Sequence, residues 1–378
     1  MIYFDNASTT ALSEPVLELV YKMLKEEYAN PSSLHSAGFE VEKLITGARE
    51  QLAKALRVSA EDIYFTSGGT EANNTAILGA ARAAKKQGMH LITSVIEHPS
   101  AADSFRQLEE EGFEVTYLPV DEKGYVSVDS LKAAMREDTT LVSIMYVNNE
   151  VGAIQDIPAL ATAAKAVNPQ CVFHTDCVQA FGKHKIPSQC VDMISVSGHK
   201  IHAPKGVGAL YVKKGIRLKN LHFGGGQEKG VRPGTENTAS IIGFGLAAEL
   251  ADKSLDENYQ RVSEVKQTLL NNLAELDGVY VNGDSENASP YILNLSFENV
   301  KGEVLLHALE REGICVATGS ACSSKLKKKK KIVDLLIDGR GENNVRFSFS
   351  ADNTADEAVI VADAVKRNAA MLRKFRPR

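Results

Sequence analysis

Five cysteines occur in this chain, and no two of them are spaced C-x-x-C. The pattern lacks a tetrahedral zinc signature, and an odd count does not make a closed disulfide framework. The expected setting is reducing cytoplasm. Long apolar runs are missing too, since none approaches the roughly 20 residues of a membrane span. The opening MIYFDNASTT brings Asp5 too early for the apolar stretch of a signal peptide. Charge of one sign is not in excess. A net charge of −5 over 378 residues gives no bulk electrostatic reason to bind nucleic acid or a membrane.

What remains is ample material for a folded core, with 44% of residues hydrophobic. Short apolar runs rich in β-branched residues recur at 62–66, 90–96, 113–118, 141–147, 171–175 and 192–197. Amphipathic stretches at 70–86, 99–111 and 157–167 lie between several of them. Apolar strands without strict alternation, separated by helices, predict a largely parallel sheet covered on both faces. GVGALYV at 206–212 reads as a further strand, possible in the antiparallel sense. A glycine-rich loop follows at 222–237, then one long helix from about 238 to 276. Beyond it VYVN, YILNLSF, GICVA and NVRFSFS read as strands, with helices at 302–312 and 354–372 among them. This is the pattern of a smaller α/β domain.

Ligands of open parallel sheets collect at the carboxyl ends of the strands, and several polar groups fall there. TSGGTEANN (66–74) follows a strand and opens a helix. Gly68 and Gly69 would let the backbone approach an anion, with Thr70 beside it. An ordinary glycine turn would read the same way. His98 follows a strand in IEHPS, where it could also be a structural helix-start residue. Asp176 ends VFHTD, with Gln179 three residues on. The acid could cap a helix or pair with a buried protonated ring nitrogen. Asn148 and Asn149 follow another strand and could be turn residues. SVSGHKIHAPKG sets Lys200 at the end of an apolar strand. A lysine, an acid, a phosphate loop and a histidine able to stack on a ring are the parts a pyridoxal phosphate site needs.

Ten sequence blocks carry a resemblance that runs nearly end to end: YFDNASTT, NPSSLHSAG, FTSGGTEANN, EHPS, VNNEVGAIQDI, HTDCVQAFGK, SGHKIHAPKGVGALYV, GGGQEKGVRPGTEN, ATGSACSS and VRFSFS. In that order and spacing the chain resembles the cysteine desulfurases of the NifS/IscS type, in the class V aminotransferase group. The resemblance implies the type I fold of pyridoxal-phosphate-dependent transferases. That fold is α/β, with a large domain built on a mostly parallel sheet of the seven-stranded type and a smaller C-terminal α/β domain. Residues 1–250 would form the large domain and 251–378 the small one, with about 1–13 a segment able to pack on the small domain.

By the same resemblance Lys200 carries the cofactor, pyridoxal 5′-phosphate, and His98 stacks on its ring. Asp176 pairs with the pyridine nitrogen and Gln179 faces the ring oxygen. Gly69, Thr70, Ser197 and His199 line the phosphate, and Thr235 reaches the phosphate of a partner subunit, which implies a homodimer. Asn149 and Arg346 would bind the carboxylate of L-cysteine, a task suited to the planar fork of arginine. An arginine outside such a site would usually form a surface ion pair. No metal is implied.

Cys322 lies in ATGSACSSK, a polar, glycine-containing stretch just before lysines, where a thiolate is favoured. Cys171, Cys177, Cys190 and Cys315 lie in or beside apolar strand segments and read as packing residues. In the family the cysteine at position 322 is the nucleophile that takes sulfur as a persulfide, leaving alanine. The sulfur then passes to an acceptor protein, for iron–sulfur clusters or for thiolation of tRNA or a cofactor. A selenocysteine lyase, a plain class V aminotransferase and a non-catalytic scaffold are the competing readings.

The segment between Cys322 and Arg346 is shorter and more lysine-rich than usual in IscS-like relatives, and KLKKKKK (325–331) dominates it. Like charges at this density repel and favour an extended, solvated segment. Their field would speed the approach of an acidic acceptor. Replacing Lys327, Lys328, Lys329 and Lys330 by Ser should leave reductant-driven sulfide release intact and slow transfer to the acceptor. Equal transfer rates at low salt would remove that role.

Overall fold

A computed structural model describes residues 1–319, 332–336 and 339–374. The chain opens with strand β1 (Ile2–Tyr3) and helices α1 (Glu14–Glu26) and α2 (Ser36–Leu56). The central sheet then builds up from β2 (Ile63–Thr66), α3 (Gly69–Ala84), β3 (His90–Ser94), α4 (Pro99–Glu110) and β4 (Glu114–Leu118). It continues through α5 (Val128–Ala134), β5 (Thr139–Ser143), α6 (Ile157–Val167), β6 (Val172–Asp176), β7 (Met193–Ser197) and β8 (Gly208–Val212). The strand order is β2-β8-β7-β6-β5-β3-β4. Only β8 runs against its neighbours, as its antiparallel registers with β2 and β7 show. The carboxyl ends of β2, β3, β5, β6 and β7 therefore share one edge.

Every residue of β3, β5, β7 and β8 is buried. Helices on both faces leave no solvent side, which is why these strands lack strict polar alternation. The apolar run 141–147 overshoots its strand. The ladder ends at Ser143, and the chain turns back through a bridge between Val147 and Ile154. That turn carries Asn149 toward the sheet edge.

The long helix expected from 238 to 276 is two helices, α7 (Thr238–Lys253) and α8 (Leu255–Leu273), broken at Ser254. The break separates two cores. Ile242, Phe244 and Ala248 of α7 pack in the large core, against residues such as Ala48 and Leu52 of α2. Val262, Val265 and Leu269 of α8 belong to a second core. That core lies around an antiparallel sheet ordered β12-β10-β9, made of β9 (Val279–Val281), β10 (Ile292–Phe297) and β12 (Asn344–Ser348). Helices α9 (Gly302–Arg311) and α11 (Ala355–Lys374) cover it, and a short α10 (Ile332–Leu336) precedes β12. GICVA meets this sheet only at Ala317, which bridges to Arg346 of β12. Its strand, β11 (Ile314–Cys315), pairs in parallel with β1. Phe4 and Ala7 sit in the second core with it. No described helix is long and apolar enough to cross a membrane.

One glycine shows how tightly the sheet is closed. A Cβ on Gly208 would lie 2.7 Å from the Cα and carbonyl carbon of Gly68 and from the carbonyl oxygen of Val196. All three are backbone atoms that cannot swing aside. Gly208→Ala should therefore destabilise the fold by about 1–3 kcal/mol. Gly47 lies inside α2 with open space around it, so Gly47→Ala should instead stabilise by about 0.5–1 kcal/mol. Denaturant melts of the two variants check the contrast in sign.

Candidate active site

The shared strand edge opens on a cavity of about 190 Å³. Gly69 and Thr70 enter it from the start of α3, His98 from the start of α4, and Asn149 from the turn after β5. Asp176 and Gln179 come from the end of β6, Ser197, His199 and Lys200 from the end of β7, and Arg346 from β12. The structure thus gathers ten of the twelve residues named from sequence. Thr235 is exposed on the loop after β8 and lies outside the cavity. Cys322 lies outside the described residues.

Lys200 follows β7 in a short turn, and its Nζ donates to the carbonyls of Ala7 (2.5 Å) and Ser8 (2.8 Å). Asp176 is 5% exposed. Its Oδ2 accepts from Asn73 Nδ2 at 2.6 Å and its Oδ1 from the backbone N–H of Val178 at 2.9 Å. Each carboxylate oxygen keeps a further lone pair for a donor in the cavity. His98 caps α4, with Nδ1 accepting from the N–H of Ser100 at 3.2 Å and lying 2.8 Å from its hydroxyl. Burial pushes the His98 pKa down, Asp176 opposes that and Lys200 adds to it, so the ring is neutral at pH 7. Burial and the nearby Lys200 hold His199 at about 4, also neutral, with Nδ1 3.2 Å from Thr9 Oγ1.

Arg346 is not a surface residue but 1% exposed. Its guanidinium donates to the Asn149 carbonyl (2.8 Å), to Asp5 Oδ1 (2.9 Å) and to Ser8 Oγ (2.8 Å). Asn148 and Asn149 divide their work. Asn148 Oδ1 accepts from the N–H groups of Glu150 and Val151 and shapes the turn, whereas Asn149 lines the cavity.

Four buried polar atoms of lining residues have no hydrogen-bond partner: Ser197 Oγ, Gln179 Oε1, Asn149 Oδ1 and Arg346 Nε. Buried polar atoms are almost always paired in folded proteins. Four orphans around one cavity mark a site built for a polar ligand. Beside Ser197, the N-terminus of the 16-residue α3 offers free N–H groups and the positive end of its dipole. Gly69 is needed there for closeness. A Cβ on it would lie 2.6 Å from Val178 Cγ2, on the turn that follows Asp176.

The sequence reading missed the residues that hold this set in place. Asn73 fixes Asp176, and Ala7 and Ser8 seat Lys200. All three lie inside the motifs FTSGGTEANN and YFDNASTT, but nothing local to those motifs tells which distant group they meet. The four described cysteines also differ from one another. Burial pushes the Cys171 thiol up to about 12 and Cys177 well above its ordinary value, so neither is a thiolate at pH 7. Cys190 and Cys315 are only half-buried, because one sits in a surface turn and the other on a two-residue strand.

Fold and cavity together define an enzyme of the class-V aminotransferases, and the chain belongs to that family, whose model matches residues 2–361. It is 41% identical to the cysteine desulfurase IscS of Dictyoglomus turgidum, over 100% of this chain and 96% of that one. A solved NifS-like protein, 35% identical, superposes with a TM-score of 0.92 over 98% of this chain and 99% of the other. A structure described as SspA in complex with cysteine is 32% identical, with a TM-score of 0.81 over 92% of this chain and 99% of that one.

Enzymes of this family depend on pyridoxal 5′-phosphate, and the residues present fit it. The α3 N-terminus and the orphaned Ser197 hydroxyl suit its phosphate, the Asp176 carboxylate suits a protonated ring nitrogen, and the Lys200 amine suits its aldehyde carbon.

Beneath the site Glu97 joins two strand exits. Its Oε1 accepts from Ser94 Oγ at 2.6 Å, and its two oxygens lie 3.0 and 3.1 Å from the N–H of Met145. Burial raises its pKa from 4.5 to about 8, so it is protonated at neutral pH. A carboxyl raised in the folded state contributes stability below its unfolded pKa and loses it as pH rises toward the folded value. The stability of Glu97→Gln relative to wild type should therefore improve steadily between about pH 4.5 and 8. Melting curves across that range check it, and a constant difference would count against the assignment.

Proposed function

We propose that the chain converts L-cysteine to L-alanine and passes the sulfur first to Cys322 as a persulfide. The observation that carries this reading is the single cavity in which Lys200, Asp176 and His98 face a buried arginine. That arginine, Arg346, has an unpartnered Nε, and Asn149 beside it has an unpartnered Oδ1. A guanidinium there suits an α-carboxylate, and charge-assisted hydrogen bonds contribute about 1.5–3 kcal/mol each. Both the relative named as a desulfurase and the one solved with cysteine support the choice of amino acid.

When bound, pyridoxal 5′-phosphate supplies an electron sink for negative charge developing at the substrate Cα. Lys200 removes the Cα proton as a general base, and the carbonyls of Ala7 and Ser8 orient its Nζ. His98, neutral at pH 7, can accept or return a proton at its ring nitrogen. The Asp176 carboxylate holds a positive charge opposite it. The Cys322 thiolate attacks the substrate sulfur. An S–S bond forms and the C–S bond breaks, and its electron pair stays with the carbon skeleton, which takes up a proton and leaves as alanine. Sulfur then moves to an acceptor protein, in iron–sulfur cluster assembly or in thiolation of tRNA or another cofactor, in the cytoplasm.

In this reading residues 1–250 bind the cofactor, and residues 251–378 bring Cys322 and Arg346. The working unit is a homodimer in which Thr235 completes the partner's phosphate site. A row of exposed apolar residues supports the dimer. Leu17, Tyr21, Leu24 and Tyr28 are 48%, 63%, 67% and 80% exposed at helical spacing along and just past α1.

Cys322→Ala should retain cofactor absorbance and respond spectrally to cysteine, yet release little sulfide. After cysteine treatment of the wild type, mass spectrometry should find the added sulfur on the peptide containing Cys322. Sulfur on Cys177 instead would overturn the assignment.

A further inference from the structure

A second cavity of about 230 Å³ lies behind the turn that carries Lys200, which lines both. At roughly 30 Å³ per water it has room for a molecule of several heavy atoms. Lys183, from the segment after β6, lines this second space. It is 6% exposed, and its ammonium makes no hydrogen bond or ion pair with any described residue. Its Nζ lies 5.6 Å from the centroid of Tyr291, another wall residue. A buried cation without a counter-charge is costly, and an anion in the cavity would remove that cost. Lys200, and Arg261 of α8, add further cations to the wall, with Arg261 paired to Glu257 at 3.0 Å. Asp352 is the one acid among the lining residues, and its side chain is 80% exposed. The lining also includes the aliphatic side chains of Ile201, Leu250 and Ala251.

A buried ammonium in a cavity with aliphatic lining suits one ligand class. Inorganic phosphate would bring two charges and no apolar surface, and chloride would leave most of the volume empty. We propose that this cavity binds a small monocarboxylate, with the carboxylate on Lys183 and a short aliphatic body against Ile201, Leu250 and Ala251. Burial and the neighbouring Lys200 and Arg346 hold the Lys183 pKa at about 7, so an arriving carboxylate would draw a proton onto it. The acid would then sit beside Lys200, which lines both cavities, as a ligand distinct from the substrate.

The test is calorimetric titration of the cofactor-loaded enzyme with sodium butyrate at constant ionic strength. Saturable binding at one site per chain is expected. Lys183→Met should weaken it at least about tenfold, the loss of one charge-assisted contact. Ala251→Leu, which fills the aliphatic end, should weaken it as well and carries the test if Lys183→Met does not fold. Arg346→Gln should leave butyrate binding in place, because that arginine faces the other cavity. The proposal is overturned by absence of saturable binding, by equal affinity in wild type and Lys183→Met, or by loss of binding in Arg346→Gln alone. Phosphate competing as well as butyrate would overturn the ligand class.

Discussion

A guanidinium that is 1% exposed must be paired on nearly every side, and Arg346 sets the terms for much of this molecule. It sits in the middle of β12, opposite Asn294 of β10, and its own backbone exchanges hydrogen bonds with Ala317. Its side chain then requires an acid, a hydroxyl and a carbonyl. The acid and hydroxyl come from Asp5 and Ser8, and the carbonyl from Asn149 at the exit of β5. Leaving a buried charge of this kind unpaired costs about 3–5 kcal/mol. The need to satisfy one side chain therefore ties the second core to the first.

The segment that answers Arg346 also seats Lys200. Ala7 offers its carbonyl to both Lys200 and Gln179, while its N–H donates to Ser348 Oγ at 2.9 Å. Asn6 donates to the Ser348 carbonyl, and Thr10 binds the carbonyl of His199 through its N–H. Five residues between positions 5 and 10 thus fix the Lys200 amine, the Gln179 amide and the Arg346 guanidinium relative to one another. Preorganisation at this level matters because catalysis responds to misplacements of about an ångström.

The elements that depend on local pattern were legible in sequence. The strands of the central sheet end in the polar residues that line the cavity because a doubly covered sheet is apolar until its chain leaves it, as at Thr175–Asp176 and Val196–Ser197. Boundaries set by tertiary contact were not. Nothing in the helical run 238–276 marks Ser254 as the point where the chain passes from one core to the other. β11 reads like any strand of the small sheet, and its pairing with β1 depends on residues more than three hundred positions away. The sequence marked Arg346 as a candidate carboxylate binder, but its burial and its partner Asp5 were not legible, since no short-range signal joins positions 346 and 5. The same distance hid the carbonyls that hold Lys200. Thr235 was legible only as a motif, and in the single chain it stands apart from the cavity.

The long reach of these contacts has a consequence for biosynthesis. Residues 63–212 contain every strand of the central sheet, so that sheet can close while later parts of the chain are still unmade. Asp5 and Ser8 leave the ribosome long before their partner Arg346, from which they are separated by 341 and 338 positions. Domains form largely in the order in which they are synthesised, and here residues made before the central sheet wait until after it to be placed. A nascent chain can hold a finished sheet while its amine still lacks a fixed seat, so the site is assembled only after translation has passed Arg346.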